Sequence, residues 1–277
     1  MAVESNMADM APHHSAAPAL SVQQISVRFA GVQACADISF DVQPGEILAV
    51  IGPNGAGKTT LINAITGAVA VEPGGSVRLD GPSGTRELIG MRPDRVVGLG
   101  LIRTFQNVLL IPQLTVRENV LLGRYVHQKS GILANMLRTS TSRQEARMHE
   151  ANVDRILGEL GLAPYADMDT TALAYGIRKR IELARALALQ PKVLLLDEPV
   201  AGMSLEERKQ MADYVRLARN SGEAKTILLI EHDMRFVMSL ADRVLAVAQG
   251  RILAFGTPAE IQSHPKVLEA YLGQRDD

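Results

Sequence analysis

Residues 52–59 read Gly52-Pro53-Asn54-Gly55-Ala56-Gly57-Lys58-Thr59, and they directly follow the short apolar run of residues 47–51. This octapeptide matches the phosphate-loop pattern G-x-x-x-x-G-K-[ST] at every specified position. Glycines let the backbone wrap closely and aim N–H groups at phosphate oxygens, and a helix that begins near Lys58 adds its positive dipole end. The pattern predicts Lys58 as the cation for the β- and γ-phosphates and the Thr59 hydroxyl as a Mg²⁺ ligand.

A second signal lies where another apolar run ends. Residues 193–196 are entirely apolar, and Asp197 and Glu198 follow them. Ligands of open α/β sheets bind at the carboxyl ends of the strands, so Asp197 is placed to reach Mg²⁺, directly or through water. Glu198 is placed to orient or deprotonate an attacking water. The alternative is a solvated acidic turn before Pro199, and the complete phosphate loop upstream disfavours it.

One histidine repeats this placement. His232 follows the apolar run of residues 226–230 and is separated from it by Glu231. A single histidine is more often a packing or surface residue. The position after the next buried strand nevertheless favours a contact between His232 and the γ-phosphate.

Composition argues against a protein that binds nucleic acid or membranes by bulk charge, one stabilised by internal disulfides, and one that spans a membrane. The chain has 277 residues with a formal net charge of −1, which gives no indication of bulk attraction to nucleic acid or to an anionic membrane. Cys35 is the single cysteine, so an internal disulfide is impossible. No apolar run approaches the roughly 20 residues that a membrane-spanning helix needs.

Together these residues resemble the ATP-binding subunits of ABC transporters, over residues 21–273. Within that family, four segments are similar to the ATPases that serve importers of branched-chain amino acids, amides or urea. They are Arg-Thr-Phe-Gln-Asn at 103–107, Leu-Ala-Tyr-Gly at 173–176, Glu-Pro-Val-Ala-Gly-Met at 198–203 and Ala-Tyr-Leu-Gly at 270–273.

The resemblance implies an α/β fold: a P-loop NTPase core of mostly parallel sheet flanked by helices, with an N-terminal antiparallel β part and an inserted helical lobe. We expect residues 1–20 to be a disordered leader and residues 21–277 to form the ABC ATPase domain. In that domain, residues 21–105 and 176–277 are expected to form the RecA-like and β core. Residues 106–175 are expected to form the helical lobe, where Val153, Ile156, Leu157 and Leu160 mark one apolar helix face.

The resemblance also implies roles for single residues. Phe29 would stack on adenine, although a strand-end core residue is the alternative. Gln106 would sense Mg²⁺ and the attacking water, and the segment at 173–177 would close over the ATP of a second subunit. The implied nucleotide contacts are Phe29, Gly52, Pro53, Asn54, Gly55, Ala56, Gly57, Lys58, Thr59, Thr60, Leu173, Ala174, Tyr175 and Gly176. The implied catalytic residues are Glu198, His232 and Gln106, and the implied Mg²⁺ ligands are Thr59, Gln106 and Asp197.

The 173–177 segment departs from the family's usual Leu-Ser-Gly-Gly-Gln. Ala174 lacks the serine hydroxyl, Tyr175 replaces a glycine, and Ile177 replaces the glutamine. Ser204 also stands where many relatives have aspartate. The serine hydroxyl that Ala174 lacks would hydrogen-bond the γ-phosphate, and a hydrogen bond to a charged group contributes about 1.5–3 kcal/mol. We therefore expect weaker ATP-driven closure of the dimer and not a dead site.

The sequence therefore predicts an ATP-binding and ATP-hydrolysing subunit of an importer, with branched-chain amino acids as the cargo and ATP and Mg²⁺ as cofactors. The alternatives are a urea or short-amide importer ATPase, a soluble ABC ATPase not tied to transport, and a regulator that binds ATP without useful hydrolysis. The expected partners are a second ATPase subunit, of the same or a paralogous chain, and integral membrane permease subunits, with no nucleic acid. The expected location is peripheral, on the cytoplasmic face of the cell membrane.

Overall fold

The strands form two sheets, a small antiparallel one and a larger, mostly parallel one. The computed structural model describes residues 17–82, 84–104, 109–127, 139–222 and 224–272. Residues 1–16 of the predicted leader lie outside these ranges, and the first strand begins at Leu20. In the small sheet the order is β2-β1-β4-β5, and every neighbouring pair is antiparallel. Its strands are β1 (Leu20–Phe29), β2 (Val32–Val42), β4 (Ser76–Leu79) and β5 (Arg86–Glu87).

The larger sheet has the order β10-β9-β3-β8-β7-β6. Its strands are β3 (Ile47–Ile51), β6 (Leu101–Arg103), β7 (Val193–Asp197), β8 (Thr226–Ile230), β9 (Arg243–Ala248) and β10 (Arg251–Gly256). All pairs are parallel except the β9–β10 pair. Every residue of β3, β7 and β8 is buried, which explains their unbroken apolar runs, since helices or other strands cover both faces of the sheet.

Helices alternate with these strands along the chain. They are α1 (Lys58–Ile65), α2 (Pro93–Leu99), α3 (Val116–Leu121), α4 (Ser140–Glu159), α5 (Tyr175–Ala188), α6 (Leu205–Asn220), α7 (Met234–Leu240), α8 (Pro258–Gln262) and α9 (Pro265–Leu272). Short 3₁₀ helices span Leu122–His127, Ala163–Tyr165 and Thr170–Ala172. The predicted α/β class, with an antiparallel N-terminal part and a parallel sheet flanked by helices, is confirmed.

Two hydrophobic clusters lie on opposite faces of the larger sheet, because side chains alternate along each strand. Ile47, Ala49 and Ile51 face the cluster that contains the buried side of α5 and α6. Leu48 and Val50 face the cluster formed with α1 and the small sheet. Because both faces are apolar, a slip by one residue would not expose the strand but would move every side chain into the opposite cluster, and both clusters would have to repack.

The helices between β6 and β7 pack on one another through the predicted apolar stripe. Val153, Ile156, Leu157 and Leu160 are all buried. The 3₁₀ helix after α3 approaches α5 closely at Gly123, where an added Cβ would lie 2.6 Å from the Arg185 carbonyl oxygen. The assignment of residues 106–175 to a separate lobe stays a prediction.

This close approach gives a stability prediction. Gly123→Ala should destabilise the chain by about 1–3 kcal/mol, since the new methyl group forces the backbone of α5 to move. Gly158→Ala is the matched control, because a Cβ at this exposed helical position meets nothing within 4 Å. It should be neutral or stabilising by up to about 1 kcal/mol. Urea unfolding of both variants measures the difference, and equal midpoints would contradict the predicted contact.

Candidate nucleotide-binding site

The carboxyl ends of three neighbouring strands meet at one edge of the larger sheet. Val50 of β3 pairs with Ile230 of β8, and Ile230 pairs with Asp197 of β7. The phosphate loop therefore begins two residues beyond this row, and Glu198 and His232 follow it by one and two residues. The structure thus brings together the three segments that the sequence marks as chemically active.

The phosphate loop is packed tightly against its surroundings at two glycines. A Cβ at Gly52 would lie 2.2 Å from the Val247 carbonyl oxygen, and one at Gly57 would lie 2.3 Å from the Ala34 carbonyl oxygen. Gly57 also has a φ of +96° and is the N-cap residue of α1. Since a side chain at either position would collide with backbone, the loop requires glycine there.

The Lys58 side chain folds back onto its own loop. Its Nζ donates hydrogen bonds to the carbonyl oxygens of Gly52 at 2.6 Å and Pro53 at 3.0 Å. Burial lowers the pKa of Lys58, whereas the carboxylates of Glu198, Glu231 and Asp197 act to raise it. The ammonium group therefore lies in the electrostatic field of these three carboxylates.

Asp197 is buried and paired with Arg103, at the end of the adjacent strand β6. The Arg103 Nη2 lies 2.7 Å from Asp197 Oδ2, and its Nη1 donates to Asn63 Oδ1 of α1 at 2.7 Å. The guanidinium thus links α1, which follows the phosphate loop, to the carboxylate at the tip of β7. Sequence reasoning used Arg103 only as part of the resemblance and did not predict this pair.

The donor set fits Mg²⁺, which prefers oxygen ligands. Thr59 is an exposed residue in the first turn of α1, and Asp197 supplies carboxylate oxygens at the end of β7. No group of three or more His, Cys, Asp or Glu side chains capable of holding a metal occurs among the residues with described structure. Phosphate and water oxygens would have to complete the shell. Gln106, the third expected ligand, lies outside the described residues.

Glu198 and His232 face each other across the tips of β7 and β8. His232 Nδ1 lies 3.9 Å from Glu198 Oε1 and 3.7 Å from Glu231 Oε2. Glu198 has a positive φ of +47°, and its N–H donates to the Ile230 carbonyl oxygen at 2.9 Å. At this distance the carboxylate is able to accept a hydrogen bond from a water that also contacts the imidazole, and the imidazole is able to donate to a phosphate oxygen.

Glu231 is a site residue that sequence reasoning missed. Its side chain has no exposed surface and accepts hydrogen bonds from the backbone N–H groups of Val200, His232 and Asp233. Burial raises the pKa of Glu231, and these hydrogen bonds oppose the increase. The available signal was its place directly after a buried strand, the same place that singled out Asp197.

The Phe29 ring is accessible at the end of β1. Its exposure is 48%, so it is not the core residue of the alternative interpretation, whereas Phe40 is buried. Its role in adenine stacking stays a prediction, as does the contact of Thr60 with nucleotide.

The 173–177 segment leads into α5. Ala174 is the N-cap residue and makes no side-chain cap, and Tyr175 begins the helix. Leu173 is buried, and a Cβ at Gly176 would lie 2.3 Å from Glu207 Oε1 of α6. The first backbone N–H groups of α5 therefore lack an intrahelical partner and a side-chain cap from Ala174, which suits them to an anion.

Two families of transport proteins match segments of this chain. The family described as ABC transporter matches residues 35–201. The family described as branched-chain amino acid ATP-binding cassette transporter matches residues 251–277.

Individual relatives match over almost their full length. The high-affinity branched-chain amino acid transport ATP-binding protein LivG of Escherichia coli (strain K12) is 39% identical, covering 93% of this chain and 98% of LivG. BraF of Pseudomonas aeruginosa, which bears the same description, is 37% identical with the same coverage. The ADP conformation of MJ1267, an ATP-binding cassette of an ABC transporter, superposes with a TM-score of 0.78 at 29% identity. It covers 94% of this chain and 100% of MJ1267.

The missing cap at Ala174 is testable. Ala174→Ser should stabilise the chain by about 0.5–2 kcal/mol, because serine at an N-cap accepts a backbone N–H of the first turn. Ala151→Ser, on the exposed middle of α4, is the control and should cost about 0.5 kcal/mol. Urea unfolding compares the two, and a loss of stability at both positions would show that the cap geometry is wrong.

Proposed function

The chain belongs to the ABC transporter family, and from this premise we propose that it is the ATP-hydrolysing subunit of an importer of branched-chain amino acids. The observation that carries the proposal is the meeting of the phosphate loop, Glu198 and His232 at one edge of the parallel sheet. A binding-only protein has no need for an acid and a histidine beside the γ-phosphate position.

Two comparisons support the proposed cargo, one with whole relatives and one with a family that matches the end of the chain. LivG and BraF are described as branched-chain amino acid transport proteins, and each matches over 93% of this chain. The family match at residues 251–277 covers β10, α8 and α9, which lie outside the segment of the general ABC match. The subgroup similarity is therefore independent of the phosphate loop that all such ATPases share.

In the proposed reaction the chain first binds and orients the nucleotide. Phe29 stacks on adenine, and the backbone N–H groups of residue 52 and residues 54–60 hold the phosphates, since Pro53 has none. Lys58 turns from its loop carbonyls to the β- and γ-phosphates. Thr59, Asp197 and Gln106 would hold Mg²⁺, which when bound neutralises charge on the phosphate oxygens.

Hydrolysis follows by attack of water in line with the β–γ bridge. Glu198 takes a proton from the water as its oxygen forms the new bond to the γ-phosphorus. The bond between the γ-phosphorus and the bridging oxygen breaks, and ADP leaves with that electron pair. His232 donates to a γ-phosphate oxygen and steadies the charge as it develops.

The working unit is proposed to be a dimer of two cassettes, arranged head to tail. The 173–177 segment of one subunit closes over the ATP of the other, through the N–H groups at the start of α5. This support is electrostatic, since Ala174 supplies no hydroxyl. The second cassette is the same or a paralogous chain.

The permease is proposed to dock in the groove between α2 and α5. A cavity of about 500 Å³ there is lined by Val96, Val97, Ile102, Arg185 and Leu189, and it extends to Thr104, two residues before Gln106. None of the helices within the described ranges has both the length and the apolarity for a membrane crossing. We propose that binding to the permease holds the subunit at the cytoplasmic face of the membrane.

Glu198→Gln tests the proposed chemistry. The variant should lose about 10²–10⁴-fold in kcat, because its amide cannot accept the proton of the attacking water. With ATP it should accumulate as a dimer in size-exclusion chromatography, and with ADP it should not. Glu159→Gln on the surface of α4 should behave like the wild type. A wild-type kcat in Glu198→Gln would show that Glu198 is not the base that activates the attacking water.

Uptake by source cells tests the cargo. In cells whose only copy carries Glu198→Gln, uptake of labelled leucine should fall to background, while labelled urea should enter at the wild-type rate. Loss of urea uptake alone would move the cargo to urea or amides. Normal uptake of both would refute the cargo assignment and leave the ATPase assignment intact.

A further inference from the structure

We infer that Glu231 is a positioning residue, a buried carboxylate clamp that holds the Glu198 turn and His232 at a fixed separation for hydrolysis. The inference rests on the proposed function, because it concerns the alignment of the two groups that act on the γ-phosphate. The support is geometric and comes from the partners of each carboxylate oxygen.

The two oxygens of Glu231 serve two different loops. Oε1 accepts the Val200 N–H at 3.2 Å, in the loop that follows β7. Oε2 accepts the N–H groups of His232 at 2.9 Å and Asp233 at 3.2 Å, in the loop that follows β8. One side chain therefore ties the segment that carries Glu198 to the segment that carries His232.

The main chain of Glu231 anchors the clamp to the phosphate loop. The Glu231 N–H donates to the carbonyl oxygen of Val50 at 3.3 Å, two residues before Gly52. The next residue back, Ile230, accepts the N–H of Glu198 at 2.9 Å. Residues 230 and 231 thus contact the ends of both neighbouring strands, β3 and β7, at the row where all three loops begin.

The clamp also helps to hold the unfavourable backbone conformation of Glu198. A non-glycine residue with a φ of +47° lies in the left-handed region, which persists only where the surrounding structure holds it. Val200 is two residues beyond Glu198, and its N–H is fixed by Glu231. The carboxylate thereby restrains the far side of the strained turn.

Glutamine cannot reproduce this arrangement, although its shape is the same. Three N–H donors need acceptors on both sides of the side chain, and an amide has one acceptor oxygen and one NH₂ donor. Whichever way the amide turns, an NH₂ group would face a backbone N–H. Glu231→Gln should therefore release one of the two loops and leave the phosphate loop in place.

Glu46 provides a matched control for a purely structural role. It is also a buried glutamate, it accepts the Gln43 N–H at 2.6 Å, and it pairs with Arg243. It directly precedes β3 and so lies at the opposite end of that strand from the phosphate loop. Glu46→Gln therefore measures how much stability is lost when a buried carboxylate is replaced by an amide away from the nucleotide-binding site.

The experiment compares the full-length wild type with Glu231→Gln, Glu231→Asp and Glu46→Gln. It measures kcat and KM for MgATP, the Kd of a fluorescent ATP analogue in EDTA, and the thermal midpoint. Glu231→Gln should lose about tenfold or more in kcat, as expected for misaligned catalytic groups, with Kd within about twofold. Glu231→Asp keeps both acceptor oxygens and should recover part of kcat. Glu46→Gln should lower the thermal midpoint with kcat unchanged.

The outcomes separate the inference from the function on which it rests. Wild-type kcat in Glu231→Gln overturns the clamp, and so does an equal loss of kcat in Glu46→Gln at an equal fall in the thermal midpoint. If Glu231→Gln does not fold, Glu231→Asp decides. Its side chain is one methylene shorter and cannot reach both loops at the same distances, so its kcat should stay below the wild-type value, and a wild-type kcat in that variant also overturns the clamp. A wild-type chain that does not hydrolyse ATP refutes the proposed function itself.

Discussion

The parallel register of β3, β8 and β7 is the constraint on which the rest of the structure depends. Val50, Ile230 and Asp197 lie in one row across the three strands, so the three loops that follow begin at the same level. Side-chain packing on both covered faces holds this row, because a slip of one strand by one residue would force both hydrophobic clusters to repack. The packed core therefore fixes the starting positions of the three loops that form the site.

Placing charge at this edge has an electrostatic cost that the surrounding groups offset. Asp197 and Glu231 are both buried, where an unpaired carboxylate would be strongly unfavourable. Asp197 is compensated by the Arg103 guanidinium, and Glu231 by three backbone N–H groups. The two solutions differ in consequence. A guanidinium supplies a full positive charge beside the expected metal ligand, whereas N–H groups leave the Glu231 charge in place to attract Lys58.

The sequence predicts the elements of the site better than the contacts between them. Strand ends, the phosphate loop and the apolar stripe of α4 follow from periodicity and local motif, and the structure places them as expected. The pair Arg103–Asp197 and the bond from Glu231 to Val200 join residues 94 and 31 positions apart. Periodicity reports which side of an element is buried, but the partner of a buried polar group is set by the order of strands in the sheet. The partners of Arg103 and Glu231 could therefore be identified only from the tertiary structure.

The departures at residues 174 and 177 affect a different site from the one that this chain builds around its own phosphate loop. In the proposed dimer each site combines the loops of one chain with the 173–177 segment of the other. The residues at the edge of this chain's sheet match the catalytic pattern, whereas the surface offered to the partner lacks a hydroxyl at Ala174. In a homodimer both sites would carry that loss. In a dimer with a paralogue, it would fall only on the ATP bound by the paralogue, while the site around Lys58 and Glu198 would be closed by the paralogue's own segment.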